Sequence, residues 1–134
     1  MNAEYEHLIA PRMIDSRLKL HLLLQFFNHP GLCGTAADLN ERLREAPWAV
    51  AEALEELAAC GLLSYTVLGG PPCYRLGSQP ELRHKLERLA DAFVDPLLRD
   101  EISSRVREAQ RESQFSTYLS THQRAVGYSG LVIA

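Results

Sequence analysis

Residues 18–27 hold seven apolar side chains in ten positions, spread over more than one helical face. Leu18, Leu22, Leu23 and Phe26 recur at the spacing of one face, and Leu20, Leu24 and Phe27 fill a second. A helix apolar over so wide an arc must be covered from several directions, so the rest of the chain has to be arranged around it. Ser16 can cap its start. Asn28-His29-Pro30-Gly31 ends it, because proline cannot continue a helix and glycine supplies a positive φ. The longest unbroken apolar run in this stretch is three residues, far below the roughly 18 that a membrane span requires.

The cover must come from the following segments. Leu32-Cys33-Gly34 is extended and short. Thr35-Ala36-Ala37-Asp38 has the form of a capping box, opening a helix with Leu39 and Leu43 inward and Arg42 and Arg44 outward. Glu45-Ala46 turns the chain, and Pro47 suits the first position of another helix. Val50, Leu54, Leu57 and Ala58 make its core stripe, and Gly61 takes the position after its end. Leu63, Tyr65 and Val67 then alternate with Ser64, Thr66 and Leu68, a strand period. Gly69, Gly70, Pro71 and Pro72 form a turn cluster, and Cys73-Tyr74-Arg75-Leu76 returns as a second strand. Ser78-Gln79-Pro80-Glu81 reads as another capping box, before Leu82, Leu86, Leu89 and Phe93 at helical spacing. Asp95-Pro96 breaks that helix and can cap the next, whose stripe is Leu98, Ile102, Val106 and Ala109. Beyond Glu112 the pattern weakens: Phe115 and Leu119 extend the helix, and residues 128–134 form an apolar tail or a docked strand.

With 134 residues, 46% hydrophobic, the chain has material for one core. The divisions are an extension (1–16), a helical unit with a hairpin (17–77), a helical region (78–112) and a weakly ordered tail (113–134). Met1-Asn2-Ala3-Glu4 lacks the basic-then-apolar order of a secretory signal, so a cytoplasmic location is expected. The net charge of −3 excludes a polycation that grips nucleic acid through its whole surface. The three cysteines, Cys33, Cys60 and Cys73, have no zinc spacing. His7, His21, His29, His84 and His122 form no metal pair. There is no nucleophile elbow, phosphate loop or dinucleotide fingerprint. The chain is therefore expected to be no enzyme and to take no metal or cofactor.

The order helix, short extended piece, helix, turn, helix, hairpin resembles the winged helix-turn-helix regulators of the MarR and PadR type. Leu54-Glu55-Glu56-Leu57-Ala58-Ala59-Cys60-Gly61-Leu62-Leu63 is similar to the end of a recognition helix running into the first wing strand. The stretch from Gly69 to Leu76 resembles the wing. The fold class implied is mainly α with a small β-hairpin wing, followed by C-terminal dimerisation helices. The function implied is a DNA-binding transcriptional regulator acting as a homodimer. The helix at 47–60 would enter the major groove, and Gly69, Gly70, Pro71 and Pro72 would touch the backbone or minor groove. The candidate DNA-facing residues are Arg42, Arg44, Pro47, Trp48, Ala49, Glu52 and Arg75. The candidate dimer interface is Leu82, Leu86, Leu89, Phe93, Leu98, Ile102 and Val106. In such a fold the extended piece pairs with the returning wing strand and brings Cys33 near Cys73, as two small hydrophobes or as a redox-sensing pair. An effector pocket between the first helix and the helices after the wing is a further expectation, with no ligand named.

The chemistry of the third helix points elsewhere. Its outward side holds Trp48, Ala49, Glu52, Glu55, Glu56 and Ala59, and residues 46–60 include three glutamates and no lysine or arginine. Residues 68–73 of the turn carry no charge, and residues 17–77 together come to −1. A helix that reads DNA offers donors to phosphates and base edges. The alternative is a winged-helix module for protein binding, with Trp48 as an exposed anchor.

Overall fold

Helix α1 (Arg17–Asn28) lies at the centre of the molecule, as its doubled apolar faces demand. The computed structural model describes the backbone of residues 5–133 and the side chains of residues 5–115. After α1 come α2 (Ala36–Leu43), α3 (Pro47–Ala59), the strands β1 (Leu63–Thr66) and β2 (Cys73–Leu76), α4 (Pro80–Phe93) and α5 (Pro96–Ile133). The described chain is thus mainly helical, with one small antiparallel hairpin. Leu20, Leu22, Leu23 and Phe26 of α1 are buried, and α3, α4, α5 and β2 all pack against this helix. Leu39, Val50, Leu54, Leu57, Leu86, Leu89 and Ile102 complete the core, each at most 1% exposed.

The local signals act largely as the sequence implies. Ser16 Oγ accepts from the Lys19 amide. Thr35 and Asp38 close a reciprocal capping box at α2. Pro47 begins α3, and Gly61 leaves it at φ +87°, a left-handed turn that glycine makes without penalty. Asp95 Oδ1 accepts from the Leu97 amide at the start of α5. In the hairpin, Leu63 pairs with Leu76 and Thr66 with Cys73. The extended piece after α1 also pairs: Gly34 and Tyr74 exchange two backbone hydrogen bonds of 2.9 and 2.7 Å.

Four expectations are corrected. The Ser78–Glu81 capping box does not form: Gln79 takes the cap position without a side-chain bond, and Pro80 starts the helix. The preference of proline for the first helical position shifts the start by one residue, which moves Ser78 out of reach. Residues 5–14 form more than a lead-in, since a short 3₁₀ turn at Glu6–Leu8 helps bury Tyr5, Leu8 and Ile14 in the core. The assigned dimer interface is consumed within the chain. Leu82, Leu86, Leu89, Ile102 and Val106 are buried against the chain's own core, and Phe93 and Leu98 are partly buried there. The cover that α1 demands comes from α3, β2, α4 and α5 of the same chain. Lastly, the α5 backbone continues to Ile133, so residues 128–133 do not dock as a strand. The side chains of Leu119 and His122 and residue 134 lie outside the described residues.

Candidate interaction surface

Helix α3 is sided by its sequence. Val50, Ala53, Leu54 and Leu57 turn inward, while Pro47, Trp48, Glu52, Glu55, Glu56 and Ala59 are exposed and Ala49 is half-buried. Trp48 is 72% exposed, so it does not serve the core. Beside α3, the hairpin presents Tyr65, Val67 and Leu68 to solvent, with Leu68 at 89%. Gly69, Gly70 and Pro71 of the turn are exposed and Pro72 is half-buried. Two grooves flank the helix. One of about 500 Å³ lies between α3 and the hairpin, lined by Glu55, Ala59, Tyr65, Pro72 and Tyr74. The other, of about 400 Å³, runs between α3, the start of α1 and α5, and includes Trp48, Glu52 and Glu56.

The remaining sequence candidates stand apart from this face or point elsewhere. Arg42 and Arg44 are exposed at the end of α2. Arg44 caps that helix at φ 54°, in the left-handed region that an arginine rarely adopts. Arg75 is exposed on β2, where its Nε donates to Ser64 Oγ at 3.3 Å across the hairpin.

One polar cluster was not foreseen. Lys19 sits inside the apolar helix α1 with only 3% of its side chain exposed. Its Nζ lies 2.7 Å from Asp15 Oδ1 and also pairs with Glu56. Asp15 Oδ2 accepts from Ser113 Oγ at 2.5 Å and from the Arg12 amide at 2.8 Å. The cluster ties the N-terminal segment, α1, α3 and α5 together. Burial alone would raise the Asp15 pKa, but the bonds from Lys19, Ser113 and Arg12 outweigh it and hold the carboxyl below its usual value. Burial opposes the charge on Lys19 as well, and the two carboxylates overcome it and raise the ammonium's pKa. The sequence did carry a signal: Asp15 and Lys19 stand four residues apart, and Lys19 interrupts the apolar positions of 18–27. Glu56, expected to project freely with Glu52 and Glu55, is therefore engaged within the fold.

Two clefts lie between α1 and the later helices. The larger, about 660 Å³, opens at the end of α1 beside β2 and α4 and includes Phe27, Leu32, Cys33, Arg75 and Arg83. The smaller, about 300 Å³, includes Arg17, His21, Phe93, Arg99 and Arg107. Burial, followed by the nearby Arg17 charge, lowers the His21 pKa. Cys33 and Cys73 are adjacent, with sulfurs 2.7 Å apart. Among the described residues, no group of three or more His, Cys, Asp or Glu is placed to hold a metal ion. Among them also, no helix is long and apolar enough to cross a membrane. No family model matches the chain, and no curated protein or solved structure matches it either.

Proposed function

We propose that the chain is a winged-helix interaction module, with α3 as the reader helix and the β1–β2 hairpin as the wing, and that this face grips a basic protein segment carrying apolar anchors. The observation that carries the reading is the composition of the exposed face. Trp48, Glu52, Glu55, Tyr65, Val67 and Leu68 are all open to solvent, and neither α3 nor the hairpin turn offers a cation. Such a face repels phosphate. Its charge complements a basic segment, whose aliphatic or aromatic side chains can fill the groove between α3 and the hairpin. A winged helix is used for many purposes, so the site and not the architecture decides the function.

Trp48 is the sole tryptophan, which makes it a built-in reporter. Titrating the protein with basic amphipathic peptides is expected to shift Trp48 emission to the blue. Duplex DNA of mixed sequence is expected to leave it unchanged even at low salt. Duplex binding that shifts the emission and weakens steeply with salt would reverse the assignment.

The second reading is a homodimeric DNA-binding regulator, and one observation favours it. Arg42 and Arg44 are both exposed at the turn before α3, and Arg44 occupies a backbone conformation where glycine would be the less costly residue. On that reading the two arginines hold phosphates while α3 approaches the groove. A twin chain, with interior positions of α4 and α5 already used, would meet Val94, Leu97 and Phe115, all more than 60% exposed.

A further inference from the structure

Cys33 and Cys73 lie 40 residues apart in sequence, yet their sulfurs approach to 2.7 Å. That is within about 0.7 Å of a sulfur–sulfur bond, so the two sulfurs have little distance left to close. The backbone is already fixed on both sides. Gly34 and Tyr74, the neighbours of the two cysteines, are joined by two hydrogen bonds. Gly34 is also pressed against α2, where a Cβ would lie 2.6 Å from Leu39 Cδ2. The pair is accessible as well. Cys33 is exposed and lines the 660 Å³ cleft together with Arg75 and Arg83, while Cys73 is half-buried behind it. The third cysteine differs: Cys60 donates to the Leu57 carbonyl at the end of α3.

We propose that Cys33 and Cys73 form a thiol–disulfide exchange site that accepts a small-molecule disulfide through this cleft, and that its closure pins the hairpin to the α1–α2 connection. The Cys33 thiolate attacks one sulfur of the small disulfide, forming a mixed disulfide and expelling the first small thiolate. The Cys73 thiolate then attacks the Cys33 sulfur and expels the second. The protein pair loses two electrons to the small disulfide, and the two thiol protons end on the two small thiols released. The roles follow from position. Cys33 meets solvent, whereas the thiol of Cys73 is held up by its hydrogen bond to Cys33, then by burial and by the Cys33 and Asp38 charges, and so acts second. The resulting cross-link closes a loop of 40 residues, which restricts the unfolded chain.

The test is exposure of the reduced full-length protein to excess oxidised glutathione, followed by thiol counting under denaturing conditions and peptide mapping without reductant. Three thiols are expected to fall to one, with Cys33 joined to Cys73 and no glutathione retained. Cys73→Ser is expected to trap glutathione on Cys33, and Cys33→Ser to leave Cys73 unmodified. The oxidised wild-type protein is expected to melt at a higher temperature than the reduced protein. Three surviving thiols, a glutathione adduct that persists on wild-type Cys33, or reaction at Cys60 instead would overturn the exchange site. Equal melting temperatures would overturn the pinning. Should either serine variant misfold, the wild-type peptide map decides.

Discussion

The inner and outer sides of α3 use the same residue type in opposite ways. On the edge facing α1 and α5, Glu56 is paired with a lysine that is almost wholly buried, and Asp15, Ser113 and the Arg12 amide complete the cluster. Further out on the helix, Glu52 and Glu55 face water: Glu52 and Trp48 line the mouth of the groove towards α1 and α5, and Glu55 lies beside Tyr65 of the apolar hairpin. Charge on the inner edge fixes how α1, α3 and α5 meet. Charge on the outer edge is left for something else to meet. If this contrast is right, substitutions on the inner edge change stability and substitutions on the outer edge change binding.

The largest effect is expected on the inner edge. Lys19→Ala leaves Asp15 and Glu56 without their cation and opens a space in α1. A loss of about 2–3 kcal/mol in urea unfolding follows, less than for a fully buried pair because Glu56 retains contact with water. A loss below about 0.5 kcal/mol, the level of an ordinary surface change, would show that the cluster is not a lock. The outer edge is expected to behave inversely. Trp48→Ala leaves the unfolding midpoint nearly unchanged and lowers affinity for a basic amphipathic peptide by tens of fold, about 2 kcal/mol. Equal affinity of the two proteins would remove Trp48 as the anchor. The double reversal Glu52→Lys and Glu55→Lys should weaken the same peptide by about tenfold, most clearly at low salt, and should not perturb the fold. A peptide that binds the reversed protein equally well is not held by these carboxylates.

How much of this contrast the sequence disclosed depends on the kind of signal. The outer edge was legible because α3 has a regular stripe: once Val50, Leu54 and Leu57 are placed inward, helical geometry places Trp48, Glu52 and Glu55 outward. The Cys33–Cys73 approach was legible through the resemblance to winged helices, since it depends on which strand the extended piece joins. The inner edge was not legible as a cluster. Asp15 and Lys19 are local partners, but Glu56 and Ser113 come from elements 37 and 94 residues beyond Lys19, and no periodicity links them. The interface assigned to α4 and α5 erred for a related reason. An apolar stripe shows that a helix face must be covered, but does not say whether the same chain or a copy covers it.

The pH dependence of stability sharpens the contrast further, because only the inner edge holds a displaced pair. Asp15 has its pKa lowered by folding, so the native state binds fewer protons than the unfolded state near the carboxylate range. Its contribution is complete above about pH 4 and is lost as the pH falls through the lower native value. Lys19 has its pKa raised by folding, so its contribution is complete below about pH 10.5 and is lost as the pH rises through the native value. Stability should therefore fall at both ends of the pH range. Asp15→Asn should flatten the acid fall in urea midpoint, and an unchanged acid fall in that variant would assign it to other carboxylates.

The smallest effect separates the two functional readings at the turn before α3. Arg44 holds the left-handed conformation at the α2 cap, with its amide 2.7 Å from the Asn40 carbonyl. Glycine takes that conformation without a Cβ clash, so Arg44→Gly should stabilise the protein by about 0.5–1 kcal/mol, despite glycine's greater freedom in the unfolded chain. An arginine at such a position gains from the helix dipole, a surface contribution of about 0.3–1 kcal/mol that the left-handed backbone offsets. If the module binds protein through α3 and the hairpin, the substitution raises the unfolding midpoint and leaves peptide affinity unchanged. If Arg44 instead holds a phosphate, the same substitution removes about one unit from the slope of log affinity against log salt for duplex DNA. One variant, measured for stability, peptide binding and duplex binding, thus tests whether the strain at Arg44 belongs to the fold alone or to a ligand.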